Sequence, residues 1–495
     1  MTSLAASAPL GPENPVTWTL WWRITMLGSM CFFVAMGQVL GASIPPMIGS
    51  IMMDLHVGSG KAAQLASWGT LSIGLGNIWA VPTVAYIGSR YTILIGLTIF
   101  TACFFWQAAA QSYNSLLAAR LVCGLSGGVV EAIGPVIVVV LFPREYTARA
   151  MSAYTFSLGA GAVFGPIFSG YMIDGLGNWR YPNYLFGSIS AVNLVVTFLM
   201  FPEPIMNIRV PGDPDLPVLD DSSPVFKEAQ SSETDQGLEA GRTEQIEMRS
   251  PLELTTSGYK PATVWSRRSF FFTIQHAHPV ENYLVLLLTP FRVLAIPAVI
   301  FTVLLFGMAI ATTISITTLV STTFSHPPLS WSPGQVGLYN ISLLIGMLAG
   351  VPVGGALSDW LSSRHFRRHG IFKPESILPL LIPFARGWHW AIDGMLWAIT
   401  STNFTGSGTI AISYAINSYP EKAIDIGVVI NVVKNVIGFG ISYLTVDWWM
   451  TDKYQMFLVL AVILLAIFLS ALPLSIWGPR ITQRTKSWVS GYNVE

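Results

Sequence analysis

The apolar stretch LLAARLVCGLSGGVVEAIGP carries two ionisable side chains, Arg120 and Glu131, with Gly124 and Gly127 between them. Offsets of four, seven and eleven from Arg120 return to one face of an α-helix at about 100° per residue. A charge inside such a run costs about 2.5 kcal/mol or more at the centre of a bilayer, so it faces a partner or a water-filled cavity. A carboxylate in that setting can take up and release a proton or hold a cationic group, and an arginine near it would bias its ionisation. Glu131 is therefore the first candidate for proton or substrate binding, with Arg120 as the group that tunes it. The plainer alternatives are that Arg120 snorkels to the interface and that Glu131 only accepts hydrogen bonds from a neighbouring helix.

Further polar residues lie inside other apolar runs: Gln38, Asn77, Asn340, Asn431 and Lys434, with Trp68 and Trp79 near them in sequence. Aromatic rings with scattered polar groups suit an amphiphilic organic ligand, and each polar residue alone would equally serve an interhelical hydrogen bond. The run GAGAVFGPIFSG combines Gly161, Gly165 and Gly170, which permit close helix approach, with Pro166, which removes a backbone donor and bends the helix. Such a device serves packing or gating, and at the seam of two rocking bundles these roles coincide. Downstream, GGALSDWLSSRHFRR places Gly355 and Asp359 at a helix end beside a basic cluster opened by Arg364. Asp359 could pair with an arginine across the bundle interface, whereas Arg367 and Arg368 read as positive-inside anchors.

No GxxxxGK[ST], no HExxH and no paired Cys/His set occurs, so neither bound ATP, a metal, a cofactor nor a catalytic constellation is indicated. The energy source is then expected to be a gradient. His276, His278, His365 and His369 fall in polar segments where solvated positions are expected.

These residues need elements to hold them. The chain has 495 residues, 52% hydrophobic and 11% charged, against about 25% charged in ordinary soluble domains. Repeated long uncharged runs then mean membrane spans. Lys plus Arg, at 26, equals Asp plus Glu, so no net field points to nucleic acid. Cys31, Cys103 and Cys123 sit in apolar runs and read as small packing residues.

Hydropathy predicts spans at 24–48, 65–87, 92–110, 116–141, 151–173 and 185–201, then at 293–320, 336–357, 392–416, 426–448 and 456–477. The expected ninth span begins with ILPLLIPFA but stops at Arg386, half the length a span needs. Either 377–400 is one irregular helix containing Arg386, His389 and Asp393, or the chain is shortened there. Between 203 and 290 the sequence turns polar, acidic and Pro/Ser-rich, a composition that cannot bury enough apolar surface to offset ordering. The expected organisation is a cytoplasmic tail (1–23), a six-helix bundle (24–202), a central cytoplasmic loop (203–290), a second bundle (291–478) and a cytoplasmic tail (479–495). Arg23, Arg90, Arg144, Arg149, Arg364, Arg367, Arg368, Lys373, Lys422, Arg480, Arg484 and Lys486 fall on one side, opposed by Lys61, Arg180, Lys453 and Arg386. The positive-inside rule puts the richer side in the cytoplasm.

At these motifs the chain resembles the twelve-spanner drug:proton antiporter branch of the major facilitator superfamily, particularly its fungal members. Arg120 and Gly124 match the RxxxG motif of the fourth helix, whose arginine the family links to proton coupling. GAGAVFGPIFSG is similar to the antiporter motif GxxxGPxxGG, with Ser169 replacing one glycine. GALSD at 355–359 matches the loop motif GxLaDRxGRR. Its first-half copy is reduced to VPTVAYIGSRY, where Gly88 and Arg90 remain and Ala85 stands in place of aspartate. NPVTWTLWWR, NWRY and GIFKPE are further fungal-like features, and Glu131 coincides with a carboxylate common in that branch. The resemblance implies an all-α fold of two six-helix bundles in a lipid bilayer, a monomer, working by alternating access at the plasma or vacuolar membrane. It implies export of a small organic compound such as a drug or metabolite against protons, with Gly161 to Gly170 sealing the bundle interface and Arg90, Asp359 and Arg364 as gate residues. The same branch includes importers, so uptake of a polyamine or another organic cation is the alternative. A non-transporting sensor that docks a partner through the central loop is a third.

Overall fold

The computed structural model describes residues 18–142, 144–204, 283–325, 330–352, 411–412, 414–415, 418–419 and 422–490. Among them every regular element is helical, and nine helices are long and apolar enough to cross a membrane. The protein is an all-α polytopic membrane protein.

Helix α1 (Leu20–Ala42) stops at Ser43, whose N–H still reaches the Val39 carbonyl. Pro45 and Pro46 follow. Neither has an N–H to continue the ladder, but both fit the first turn of a new helix, where a missing N–H costs nothing, and α2 (Ile44–Leu55) begins on them. The single span expected at 24–48 is thus two elements, because the prolines restart the helix. Helix α3 (Ser59–Ile87) passes into α4 (Ser89–Ala109) through Gly88 at φ +86°, a left-handed turn that favours glycine. The Ser112 side chain caps α5 (Tyr113–Leu141) by accepting from the Ser115 N–H. Then come α6 (Arg144–Leu176) and α7 (Arg180–Met200).

The second half opens with α8 (Tyr283–Leu288) and a 3₁₀ turn (Thr289–Ala295), followed by α9 (Pro297–Phe324). A reciprocal capping box between Ser332 and Gln335 starts α10 (Pro333–Tyr339). The helix breaks at Asn340 and resumes as α11 (Ile341–Pro352), so the span expected at 336–357 is also divided. Helices α12 (Ala423–Thr451) and α13 (Lys453–Ser490) complete the described elements. The central loop and most of the expected ninth and tenth spans lie outside the described residues.

Contacts at the helix ends define two faces. At the face of α2, Arg180 pairs with Asp54 at 2.5 Å and donates to the Ala110 carbonyl, while the Trp179 indole donates to Asp54. Burial alone would raise the Asp54 carboxyl, but the bonds from Arg180 and Trp179 outweigh it and hold the group below its ordinary range. At the opposite face Arg90 is buried and donates to the carbonyls of Phe198, at 2.8 Å, and Phe201, closing the end of α7. The Glu203 carboxylate sits over the first turn of α4, accepting from the Arg90 N–H at 2.7 Å and from the Ser89 hydroxyl.

The buried apolar residues separate into two main clusters. One is built from α1 to α7 with Val428 and Val432 of α12, the other from 293–319, 411–419 and α12 to α13. A small third cluster, Val163, Leu343 and Met347, joins α6 to α11. The two halves meet chiefly where α3 lies on α12 and α6 on α10. There Trp68 packs tilted against Phe439 and edge-on against Tyr443, with ring centroids 4.9 and 6.1 Å away, and the Ser442 hydroxyl donates to that of Ser67 at 2.9 Å.

Candidate substrate and proton site

Within the first half, glycine lets the helices approach closely enough to bring polar groups together. A Cβ on Gly124 would run into Ser72 of α3, and one on Gly128 into the Ile73 carbonyl. Helices α3 and α5 therefore pack backbone against backbone, as small residues allow in membranes. This puts Asn77 beside Glu131. On α6, Gly161 faces the Ala35 carbonyl and Gly165 faces Val39, which presses α1 onto α6. The other end of the same motif turns to the second half: Gly170 meets the Pro333 carbonyl, and Gly337 meets that of Pro166. The motif thus seals one contact within a bundle and one between bundles.

Glu131 lies where the halves join. Its carboxylate accepts from the Gln38 amide of α1 at 2.8 Å and from the Asn77 amide of α3 at 3.4 Å. From α12, the Asn435 amide donates to it at 3.3 Å and the Lys434 ammonium stands 3.6 Å away. Asn431 donates to the Glu131 backbone carbonyl at 3.0 Å. The two charged side chains are 3% and 2% exposed, so neither is solvated by bulk water. Lys434 also lies over the Phe306 ring of α9, 4.9 Å from its centroid, a cation–π contact.

Gln38 and Asn435 also border a cavity of about 700 Å³, open mouth included, whose described walls come from α1, α2, α3, α6, α9, α11 and α12. Both halves therefore line it. It runs from Gln38 of α1 to Pro45 at the start of α2, and along α9 from Ile310 to Thr318, about 12 Å at 1.5 Å per residue. The Glu131 knot is at one end. Pro45 and Thr318 are at the other, where the Ser321 hydroxyl donates to the Pro45 carbonyl.

Of the residues singled out in the sequence, Gln38, Asn77, Glu131 and Asn431 come together here, with Lys434. Arg120 does not join them. Eleven residues of helix separate it from Glu131 by about 16 Å. Fully buried, it donates to the carbonyls of Leu65, at 3.0 Å, and Leu40, and to the Gln107 amide oxygen at 3.2 Å. Its guanidinium thus ties α1, α3, α4 and α5 together near the α2 face rather than snorkelling. The cation beside Glu131 is Lys434. Trp68 is in the seam between α3 and α12, and the Trp79 indole donates to the Leu125 carbonyl at 2.9 Å. Asn340 is buried at the α10–α11 break, its amide donating to the Val336 and Gly337 carbonyls of its own turn. Gly355, Asp359 and Arg364 lie outside the described residues.

Asn435 escaped the sequence reading. The signal was present, since Asn431, Lys434 and Asn435 at offsets of zero, three and four share one face of a helix. No group of three His, Cys, Asp or Glu able to hold a metal occurs among the described residues.

The sequence matches the family model described as Major Facilitator Superfamily over residues 24–442. It is 22% identical to Protein HOL1 of Saccharomyces cerevisiae, across 96% of this chain and 89% of that protein. It is 25% identical to MFS transporter cpaT of Aspergillus oryzae, across 87% of this chain and 81% of that one. Polyamine transporter 3 of Saccharomyces cerevisiae is 29% identical over a shorter stretch, 32% of this chain and 26% of its own.

Proposed function

This chain belongs to the major facilitator superfamily, and on that premise we propose that it is a proton-coupled antiporter exporting a small organic compound through the cavity between its halves. The observation that carries the proposal is the Glu131 carboxylate, buried behind Gln38 and Asn435 at one end of that cavity and held by donors from both halves.

The charge arithmetic of the knot favours exchange over co-transport of a cation. With Glu131 ionised, the pair with Lys434 sums to zero. Once the carboxylate takes a proton, the ammonium is left uncompensated and the end of the cavity is positive by one charge. Like charges at close range in a water-poor site repel strongly, so proton and cationic substrate exclude one another. That is the condition for antiport. Protonation also weakens the hold of Lys434 and Asn435 on the first half, so the same event that expels the substrate loosens the seam through which the bundles rock. The antiporter-type motif in α6 supports export as the direction.

Uptake of an organic cation is the second reading. It is favoured by the same carboxylate and by the partial likeness to a protein named as a polyamine transporter. Efflux of labelled organic amines and drugs from cells expressing the protein, with and without a proton uncoupler, tests both. Uncoupler-sensitive efflux that vanishes in Glu131→Gln at unchanged surface expression is expected. Uncoupler-sensitive accumulation inside the cells would reverse the direction, and full activity in Glu131→Gln would sink proton coupling at this residue.

A further inference from the structure

The polar groups bordering the central cavity are unevenly committed. Thr70, Thr313, Thr317 and Thr318 line it, and each hydroxyl donates its proton to a carbonyl one turn back on its own helix. The acceptors are Ala66 at 3.2 Å, Ala309 at 2.8 Å, Thr313 at 2.8 Å and Ile314 at 2.9 Å. A hydroxyl so engaged offers a ligand only oxygen lone pairs. Gln38 and Asn435, the other polar lining residues, each send an amide N–H to Glu131. Helical backbone N–H groups are consumed by the ladder, and no Lys, Arg or His lines the cavity among the described residues. Among the described wall residues, what remains for a ligand is a set of acceptors on an otherwise apolar surface, with at most the second N–H of two amides as donors.

We infer that this cavity selects ligands whose polar groups are hydrogen-bond donors, ammonium, N–H or O–H, on an apolar body, and rejects carboxylates and phosphates. Thr313 and Thr317 are its specificity-determining residues. An acceptor-only group such as an ether or carboxylate would face lone pair against lone pair after losing its water, and a buried polar group without a partner is strongly disfavoured. The inference rests on the cavity being the binding site for the transported compound and adds the chemical class of that compound.

The test uses the purified full-length protein in nanodiscs and four probes sharing one naphthylpropyl body, ending in ammonium, hydroxyl, methoxy or carboxylate. Binding is read by competition against the tritiated amine. The amine and alcohol are expected to bind at least about tenfold more tightly than the methyl ether and the acid, one hydrogen bond amounting to roughly three- to tenfold. Thr313→Val and Thr317→Val keep side-chain shape while deleting the acceptor, and each should shrink the alcohol-to-ether ratio toward one without altering thermal stability. Equal affinity for ether and alcohol, tight binding of the acid, a ratio unmoved by either valine, or no binding of any probe would overturn the inference. Donor selectivity with uncoupler-insensitive transport would leave it standing while removing the proton-coupled reading. Proton-coupled transport without donor selectivity would do the reverse.

Discussion

Glu131 and Lys434 stabilise each other only as a pair. Two charges 3.6 Å apart and almost without solvent exposure each depend on the other, and deleting one partner of a buried pair typically costs about 3–5 kcal/mol while deleting both costs far less. Lys434→Met should therefore lower the thermal midpoint of the detergent-solubilised protein clearly, and adding Glu131→Gln should recover most of the loss. Simple additivity of the two would refute the pairing. Arg120 makes the useful contrast. Its three acceptors are carbonyl and amide oxygens about 16 Å from Glu131, so sites this far apart without a shared partner should act independently. Arg120→Lys, which cannot reproduce the fork of donors, is expected to reduce stability by about 1–3 kcal/mol, and its effect should add to that of Glu131→Gln within about 0.5 kcal/mol. A strong coupling between Arg120 and Glu131 in the same cycle would restore the arrangement suggested by their shared helical stripe. That stripe misled because a common face shows only that two residues look in one direction. The offset of eleven already sets them about 16 Å apart along the axis, and a shared face is silent about what lies opposite each.

At the scale of elements, the glycines of α6 divide their work by position. Gly161 faces a carbonyl of α1 within the first half, whereas Gly170 faces the Pro333 carbonyl in the second. A side chain at Gly161 must push α1 away, so Gly161→Val is expected to reduce folded yield strongly in size-exclusion profiles of the extracted protein. Gly170→Ala should instead leave the bundle folded and shift the balance between conformations, with substrate binding retained and transport slowed. If Gly161→Val folded normally while Gly170→Ala did not, the division of roles would be wrong. The helices themselves were largely legible in the sequence, because an uncharged run of span length has few alternatives to a membrane helix. The span Tyr454–Leu474 of α13, the most apolar of the nine, is the clearest case. The two interruptions were harder. Hydropathy averages across Pro45 and Pro46, although the missing N–H groups made a restart readable, and the break at Asn340 rests on a side chain bonding to its own turn, which no apolar count registers. The assembly of Gln38, Asn77, Glu131, Lys434 and Asn435 was legible only in part. Each polar residue stood out against its run, but their meeting depends on glycine-set helix spacing and on α12 crossing from the other half.

For the molecule as a whole, the question is which face holds the halves together. At the α2 face Asp174, near the end of α6, accepts from the Ser332 hydroxyl at 2.8 Å and from the Gly334 N–H at 2.9 Å. The contacts of Gly170 with Pro333 and of Ser321 with Pro45 lie at the same end. Together they shut the cavity on the side of Pro45 and Thr318. Two hydrogen bonds to a carboxylate at an accessible rim amount to about 2 kcal/mol net. Alternating access requires that such a clasp be comparable to the conformational energy difference and not far above it, since a latch worth many kcal/mol would trap one state. Asp174→Ala should accordingly leave the fold intact and raise by about thirtyfold the population open at this face. A cysteine introduced at Ala42, which lines the cavity near that end, reports it in a background with the native cysteines replaced. Labelling from the α2 face by a membrane-impermeant maleimide should quicken roughly in proportion in the Asp174→Ala background. Unchanged labelling would mean that glycine packing between α6 and α10 closes this face by itself, and that Asp174 only follows it.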